Sequence, residues 1–177
     1  MALTMISDVD SEPISIDEAK RWLRVDNDDD DDTIAMLIVA ARRMAQRFTR
    51  RAIGEQQWRY TLNEFPSTPY IQLPLPPLVS VENVQYIDIN GDAVTMTEDE
   101  DYIVDTVSQP GRIMLPEDVA AWPATKSVPG AVTIEYICGE DPTDDERLAV
   151  LQQLAICYEN RQAVSEMLLR SYRVPRF

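Results

Sequence analysis

Residues 31–62, DDTIAMLIVAARRMAQRFTRRAIGEQQWRYTL, decide the fold, because the spacing of apolar side chains changes within them. Ile34, Leu37, Ile38, Ala41, Met44, Ala45 and Phe48 recur at steps of three and four, the signature of an amphipathic helix running from about residue 31 to about residue 50. After Gly54, a natural helix stop, Trp58, Tyr60 and Leu62 alternate with Arg59, Thr61 and Asn63, which is the period of a strand. A helical part therefore hands over to a β part near residue 55.

The same logic runs outward in both directions. Upstream, Ser15-Ile16-Asp17-Glu18 reads as a capping box, with the Ser15 hydroxyl accepting from the Glu18 amide and the Glu18 carboxylate returning to the cap. A short helix follows with Ile16, Ala19 and Leu23 on one face, and it ends near Val25. Downstream, a proline-rich link at residues 73–77 leads to a strand near 81–88, an Asn90-Gly91 hairpin turn and a return strand. Short strands are expected near 102–104, 111–115 and 131–138. A second capping box at Thr143-Glu146 then opens a helix with the stripe Leu148, Leu151, Leu154, Ala155 and Tyr158, widened by Ile156 and Cys157.

The fold class that results is α+β: a helical core of two N-terminal helices and one long C-terminal helix, with a small antiparallel β module inserted and an extended C-terminal tail. The expected divisions are 1–54 for the N-terminal helical part, 55–140 for the β insertion, 141–166 for the C-terminal core helix and 167–177 for the tail. That tail, EMLLRSYRVPRF from Glu166, joins apolar anchors to three arginines. Leu168, Leu169, Tyr172 and Phe177 are costly to leave in water, so the segment is expected to order on a partner.

Composition narrows the chemistry. At 177 residues and 45% hydrophobic content the chain builds a core of its own. No apolar run approaches the roughly 18 residues of a membrane span, and MALTMISDVD is unlike a signal peptide, so a soluble protein made in the cytoplasm is expected. Cys138 and Cys157 fit neither a zinc spacing nor a redox pair and read as reduced packing residues. Histidine is absent, which removes the commonest general base and transition-metal ligand. There is no GxGxxG, Walker or GxSxG pattern either, so no enzyme and no cofactor are expected.

The net charge of −15 opposes tight binding of nucleic acid. Its distribution is uneven: residues 1–33 are acidic, 34–54 carry Arg42, Arg43, Arg47, Arg50 and Arg51 with no acid, the middle is acidic, and the end is basic. Two readings stay open here. Surfaces of opposite sign meet on neighbouring subunits, or the segregation is simply a solvated surface with arginines complementing a helix end.

The run VDNDDDDDTI, residues 25–34, looks most like a chemical motif. Asp26, Asp28 and Asp30 have the spacing of the first three ligands of a calcium loop, but Asp31 stands where that loop needs glycine and Leu37 where it needs the bidentate glutamate. Acid/base chemistry would need a carboxylate in an apolar pocket, whereas consecutive aspartates before a helix sit in water. One helix cap is worth roughly 1 kcal/mol, and Asp28, Asp29, Asp30, Asp31 and Asp32 together exceed what a cap requires. The alternatives to a structural role are therefore a calcium- or anion-binding module and, behind it, a metal-dependent hydrolase.

The ordered set ISIDEAKRWLRVDNDDDDDTIAMLIVAARRMAQRFTRRAI, the Trp58 strand, LPLPPLVSVENVQYID, the Gly91 turn, YIVD, PGRIML, Trp122-Pro123, VTIEYICG and LAVLQQLAICYENRQAV resembles the head-tail connector (adaptor, or head-completion) family of tailed bacteriophages and related gene transfer agents. The resemblance covers about residues 14–164. It implies a virion protein of the neck, assembled in the host cytoplasm as a ring, typically a dodecamer, beneath the portal protein. Such a ring extends the DNA channel without binding DNA specifically and offers a platform to the next neck or tail protein, a stopper or tail terminator. It also implies a portal-docking tail, by position Leu168, Leu169, Arg170, Tyr172, Arg173, Val174, Pro175, Arg176 and Phe177. The charges Asp28 to Asp32 and Arg42, Arg43, Arg47, Arg50 and Arg51 are the candidates for contacts between subunits or for the channel lining.

Overall fold

The computed structural model describes residues 1–159. The α+β class is as expected: three helices, with strands that pair antiparallel in two sheets. The chain divides into two compact units, one of Met1–Asp10 with Arg50–Glu140, the other of Ser11–Thr49 with the segment that begins at Asp141.

The first unit is the β unit. Its larger sheet has the order β1-β2-β8-β4-β5 and its smaller sheet the order β3-β7-β6. The strands are β1 (Ala2–Ser7), β2 (Gln56–Leu62), β3 (Tyr70–Gln72), β4 (Leu78–Ile87), β5 (Ala93–Thr95), β6 (Ile103–Asp105), β7 (Arg112–Met114) and β8 (Val132–Cys138). β8 is central because one whole face of it is apolar: Val132, Ile134, Tyr136 and Cys138 are fully buried, alternating with less buried neighbours. Across β2 they stand opposite Leu62, Tyr60, Trp58 and Gln56.

β4 buries Leu78, Val81 and Val84, a spacing of three that on sequence alone mimics a helix. Two register shifts, between Leu78 and Ser80 and between Val81 and Asn83, explain it. Each bulge inserts one extra residue, so every inward side chain still meets an inward partner on β8: Leu78 with Cys138, Val81 with Tyr136, Val84 with Ile134, Tyr86 with Val132. The Tyr136 hydroxyl reaches across to donate to the Pro74 carbonyl at 2.8 Å. Burial pushes the Cys138 thiol up to about 12, which makes it an inert packing group.

β1 is a correction to the sequence reading, which placed no strand before residue 55. Ala2–Thr61 through Met5–Trp58 pair it to the outside of β2. An isolated six-residue stretch with apolar residues at both parities has no readable period; the pairing comes from the partner strand.

The second unit is helical: α1 (Ile16–Leu23), α2 (Asp31–Thr49) and α3 (Asp144–Glu159). Ser15 caps α1, its hydroxyl accepting from the Glu18 amide at 3.2 Å, but the expected return bond is replaced. Glu18 Oε2 instead accepts from Arg147 Nη2 at 2.6 Å, while Arg147 Nη1 donates to the Pro13 carbonyl at 2.8 Å, tying α3 to the segment entering α1. A charge-assisted pair outcompetes a local box. The Thr143 box closes as expected, with Glu146 accepting from the Thr143 amide and the Glu146 amide donating to the Thr143 hydroxyl.

Two apolar stripes are corrected in phase. On α2 the buried residues are Ile34, Ile38, Ala41, Arg42 and Gln46, and Phe48 is 91% exposed. The inner face of the last turns is occupied by Arg42 and Gln46, and Phe48 lies about 200° round the helix from Gln46. On α3 the buried residues are Val150, Leu151, Leu154 and Cys157, with Leu148 and Ile156 turned outward. A helix with apolar residues spread over more than one side does not declare its inner face by sequence.

Candidate functional site

The aspartate run is the turn between α1 and α2. α1 stops where Arg24 takes a left-handed conformation (φ 58°) and the Val25 amide donates to the Lys20 carbonyl at 3.0 Å. α2 starts where the Ile34 amide donates to the Asp30 carbonyl at 2.8 Å. Between these points the carboxylates reach side chains of two other helices, α1 and α3. Lys20 of α1 bridges Asp28 and Asp31, with Nζ 2.8 Å from Asp31 Oδ1. The Tyr158 hydroxyl of α3 donates to Asp30 Oδ2 at 2.7 Å. Asp29 and Asp32 are exposed.

These contacts set the local electrostatics. The bonds from Lys20 to Asp28 and then Asp31 raise the lysine well above its ordinary pKa, and the same ammonium holds Asp28 below the usual aspartate value. Asp28 and Asp30, two of the three residues at calcium-loop spacing, are turned to separate partners, a cation and a phenol. Among the described residues no three acidic or sulfur side chains are grouped so as to hold a metal ion. The run joins α1, α2 and α3, which absorbs part of the charge that one helix cap leaves unused.

The five arginines of the α2 region go to three places. Arg42 is fully buried: its Nε and Nη2 donate to Glu12 at 2.7 and 2.9 Å, and its Nη1 to Gln46 Oε1 at 2.7 Å. Its guanidinium is thus turned into the helical unit. Arg43 and Arg47 are exposed on the side of α2 opposite the core, and Arg50, just past the helix with φ 57°, is also exposed. Arg51 belongs to the β unit, where it donates to Gln109 at 2.8 Å and lies 3.4 Å from Glu140. The expected docking residues, Leu168, Leu169, Arg170, Tyr172, Arg173, Val174, Pro175, Arg176 and Phe177, lie outside the described residues.

Sequence reasoning missed Glu12, Gln46, Lys20 and Tyr158, the partners that employ these charges. Only Tyr158 carried a signal, since a phenol at the edge of an apolar stripe seeks an acceptor. The β unit adds an open groove of about 1260 Å³ beside Tyr60, Phe65, Tyr70 and Trp122. The Phe65 and Trp122 rings stack at 5.0 Å, and Tyr86 meets Phe65 edge-on at 5.6 Å. Glu64 is the one charged side chain in that lining, which makes the groove a packing surface and not a centre of acid/base chemistry.

The model of the phage gp6-like head-tail connector protein family matches residues 13–120, more than half of the chain and across both units. The chain belongs to that family. The connector also shares its fold with solved particle structures. A chain from the neck of an empty gene transfer agent particle, computed with C6 symmetry, superposes with a TM-score of 0.77 at 19% identity, over 100% of this chain and 97% of that one. A chain from the virion of the native gene transfer agent particle gives 0.74 at 18%, and one from the native neck computed with C12 symmetry gives 0.72 at 19%, with the same coverage. At such identities the likeness is one of fold. A comparison with curated protein sequences gives no match. Among the described residues no helix is long and apolar enough to cross a membrane.

Proposed function

We propose that this connector is a structural component of the neck of a tailed phage or phage-like particle. Copies form a ring, of twelve subunits, beneath the portal protein; the ring extends the DNA channel and presents a platform to the next neck or tail protein, a stopper or tail terminator. The observation that carries this reading is the joining of family membership to a fold shared end to end with neck chains of gene transfer agent particles, one of them computed with C12 symmetry. The role is mechanical and assigns no catalytic step to any residue. Assembly takes place in the host cytoplasm and the finished ring stays in the virion.

Charge supports the same reading. A chain of net charge −15 repels a polyanion, and a channel that passes DNA must not hold it. The last residues, Leu168 to Phe177, are the proposed portal-docking segment, because their apolar anchors and arginines need a partner to bury and pair them. Electron microscopy of the purified protein mixed with portal-bearing capsids tests the whole reading. Ring density on the portal is expected; a protein that never binds the portal and never forms a ring overturns it. A chain truncated before Leu168 is expected to stay folded and soluble yet fail to join the capsid, and normal joining refutes the docking role.

A further inference from the structure

Asn90-Gly91 sits in the turn between β4 and β5, and nowhere else in the chain does asparagine precede glycine. That pair carries a reaction of its own. The Gly91 amide nitrogen, with no side chain to screen it, can attack the side-chain carbonyl carbon of Asn90. The new N–C bond closes a cyclic imide while the bond from that carbon to Nδ2 breaks, and Nδ2 leaves as ammonia with the proton the Gly91 amide gives up. Water then opens the imide at either carbonyl and leaves an aspartyl or isoaspartyl residue at position 90. Both residues are exposed, so water reaches them.

Both reacting groups are held on one carboxylate. Asp88 Oδ1 accepts from the amides of Asn90, Gly91 and Asp92 at 2.8, 2.8 and 2.9 Å, and Asp88 Oδ2 accepts from Asn90 Nδ2 at 2.9 Å. The Gly91 amide also donates to the Asp88 carbonyl at 3.0 Å. The contact with Oδ1 disarms the nucleophile, because an amide attacks only after losing its proton, and an N–H donated to an anion keeps that proton more firmly. The contact with Oδ2 pins the carboxamide, which must turn to bring its carbon to the Gly91 nitrogen. In return the Asp92 amide foremost, with the Asn90 side chain and the other two amides, holds Asp88 below the usual aspartate value, so it stays charged at neutral pH.

We propose that Asn90-Gly91 is a latent site of self-deamidation and that the Asp88 carboxylate keeps it closed. Opening it has a structural consequence. A carboxylate at position 90 would stand between Asp88 and Asp92, adding like charge to the turn, and an isoaspartyl link would add a carbon to its backbone. β5 pairs with β4 at three positions only, all immediately beyond this turn, so its register is the first thing to be lost.

The test ages the full chain in neutral buffer at physiological temperature. Mass spectrometry follows the peptide that contains position 90 for the mass gained when a side-chain amide becomes a carboxyl, with Asn90→Ser as the zero. The folded wild-type chain is expected to react at least about tenfold more slowly than the same chain unfolded in guanidinium chloride, tenfold being what one hydrogen bond to a charged group supplies. Asp88→Ala, still folded by circular dichroism, is expected to lose that protection. Asp88→Asn separates charge from shape: it keeps an oxygen for the three amides but loses the anion and the acceptor for Asn90 Nδ2, and it is expected to react faster than wild type. A wild-type rate as fast folded as unfolded overturns the proposal. So does a wild-type rate in folded Asp88→Asn, which would mean that the shape of the turn protects Asn90 without the carboxylate; because this variant preserves the turn, the test holds even if Asp88→Ala fails to fold.

Discussion

Gly139→Ala should be among the most damaging small substitutions in the β unit. Gly139 follows β8 with φ +99°, a conformation that costs an L-residue about 1–2 kcal/mol. A Cβ there would lie 2.1 Å from the Gly54 carbonyl oxygen and 2.9 Å from its carbon, both rigid backbone. Relief requires the Gly54 loop to move, which strains the 2.8 Å bond from the Gly54 amide to the Glu140 carbonyl and that from the Gly139 amide to the Pro77 carbonyl. Overpacking of about 1–3 kcal/mol and two weakened bonds at about 0.5–1 kcal/mol each bring the cost to about 3–7 kcal/mol. Gly130→Ala is the control: φ is similarly positive at +75°, but the added Cβ meets a side-chain methyl of Thr61 at 3.3 Å, so about 1–2 kcal/mol is expected. Urea unfolding followed by tryptophan fluorescence reads the difference, since Trp58 and Trp122 both belong to this unit. With a slope of about 2 kcal/mol per molar, Gly139→Ala lowers the midpoint by about 1.5–3.5 M and Gly130→Ala by less than about 1 M. Equal shifts for the two variants would refute the close approach of the Gly139 and Gly54 backbones.

Three further outcomes follow from individual side chains. Tyr136→Phe keeps the buried ring and removes the donor to Pro74, costing about 1–2 kcal/mol and lowering the melting temperature by roughly 2–8 °C in a thermal scan; no change would mean the carbonyl finds water instead. Asp105 is held down to about 2, chiefly by the Ser108 hydroxyl and amide and by Arg112, against an ordinary value of 3.8. Its folded pKa is depressed, so its contribution is present above the ordinary value and is lost as the pH falls through about 2; Asp105→Asn should flatten the stability profile between those limits in acid titrations of the denaturation midpoint. Lys20→Gln should let Asp28 titrate nearer the ordinary aspartate range, measured by NMR, and an unchanged titration would show that the pair does not form in solution.

Local periodicity read the α2 helix, the β2 and β8 strands and the Thr143 cap from sequence because each carries its cause within a few residues. What escaped depends on distant partners. β1 is a strand because β2 offers it an edge, and the three-residue spacing of buried groups in β4 has meaning only against β8, where two bulges restore the alternation. Phase was lost in the same way: the inner face of α2 ends in Arg42 and Gln46, which no hydrophobic pattern selects, because a guanidinium is buried only when a carboxylate such as Glu12 arrives from elsewhere in the chain.

The aspartate run shows where a composition-based reading stops. Its sequence shows too much charge for a cap and the wrong register for calcium, and both inferences rest on the run alone. Its use is decided by Lys20, eight residues before Asp28, and by Tyr158, 128 residues after Asp30. An ammonium and a phenol reaching one turn from two helices lower the repulsion among Asp28, Asp30 and Asp31, and leave Asp29 and Asp32 facing water. The same economy applies to the arginines. Arg42 is buried against Glu12 and Gln46, Arg51 serves the β unit, and Arg43, Arg47 and Arg50 lie exposed, so a run of like charges in the sequence is divided among three environments in the fold.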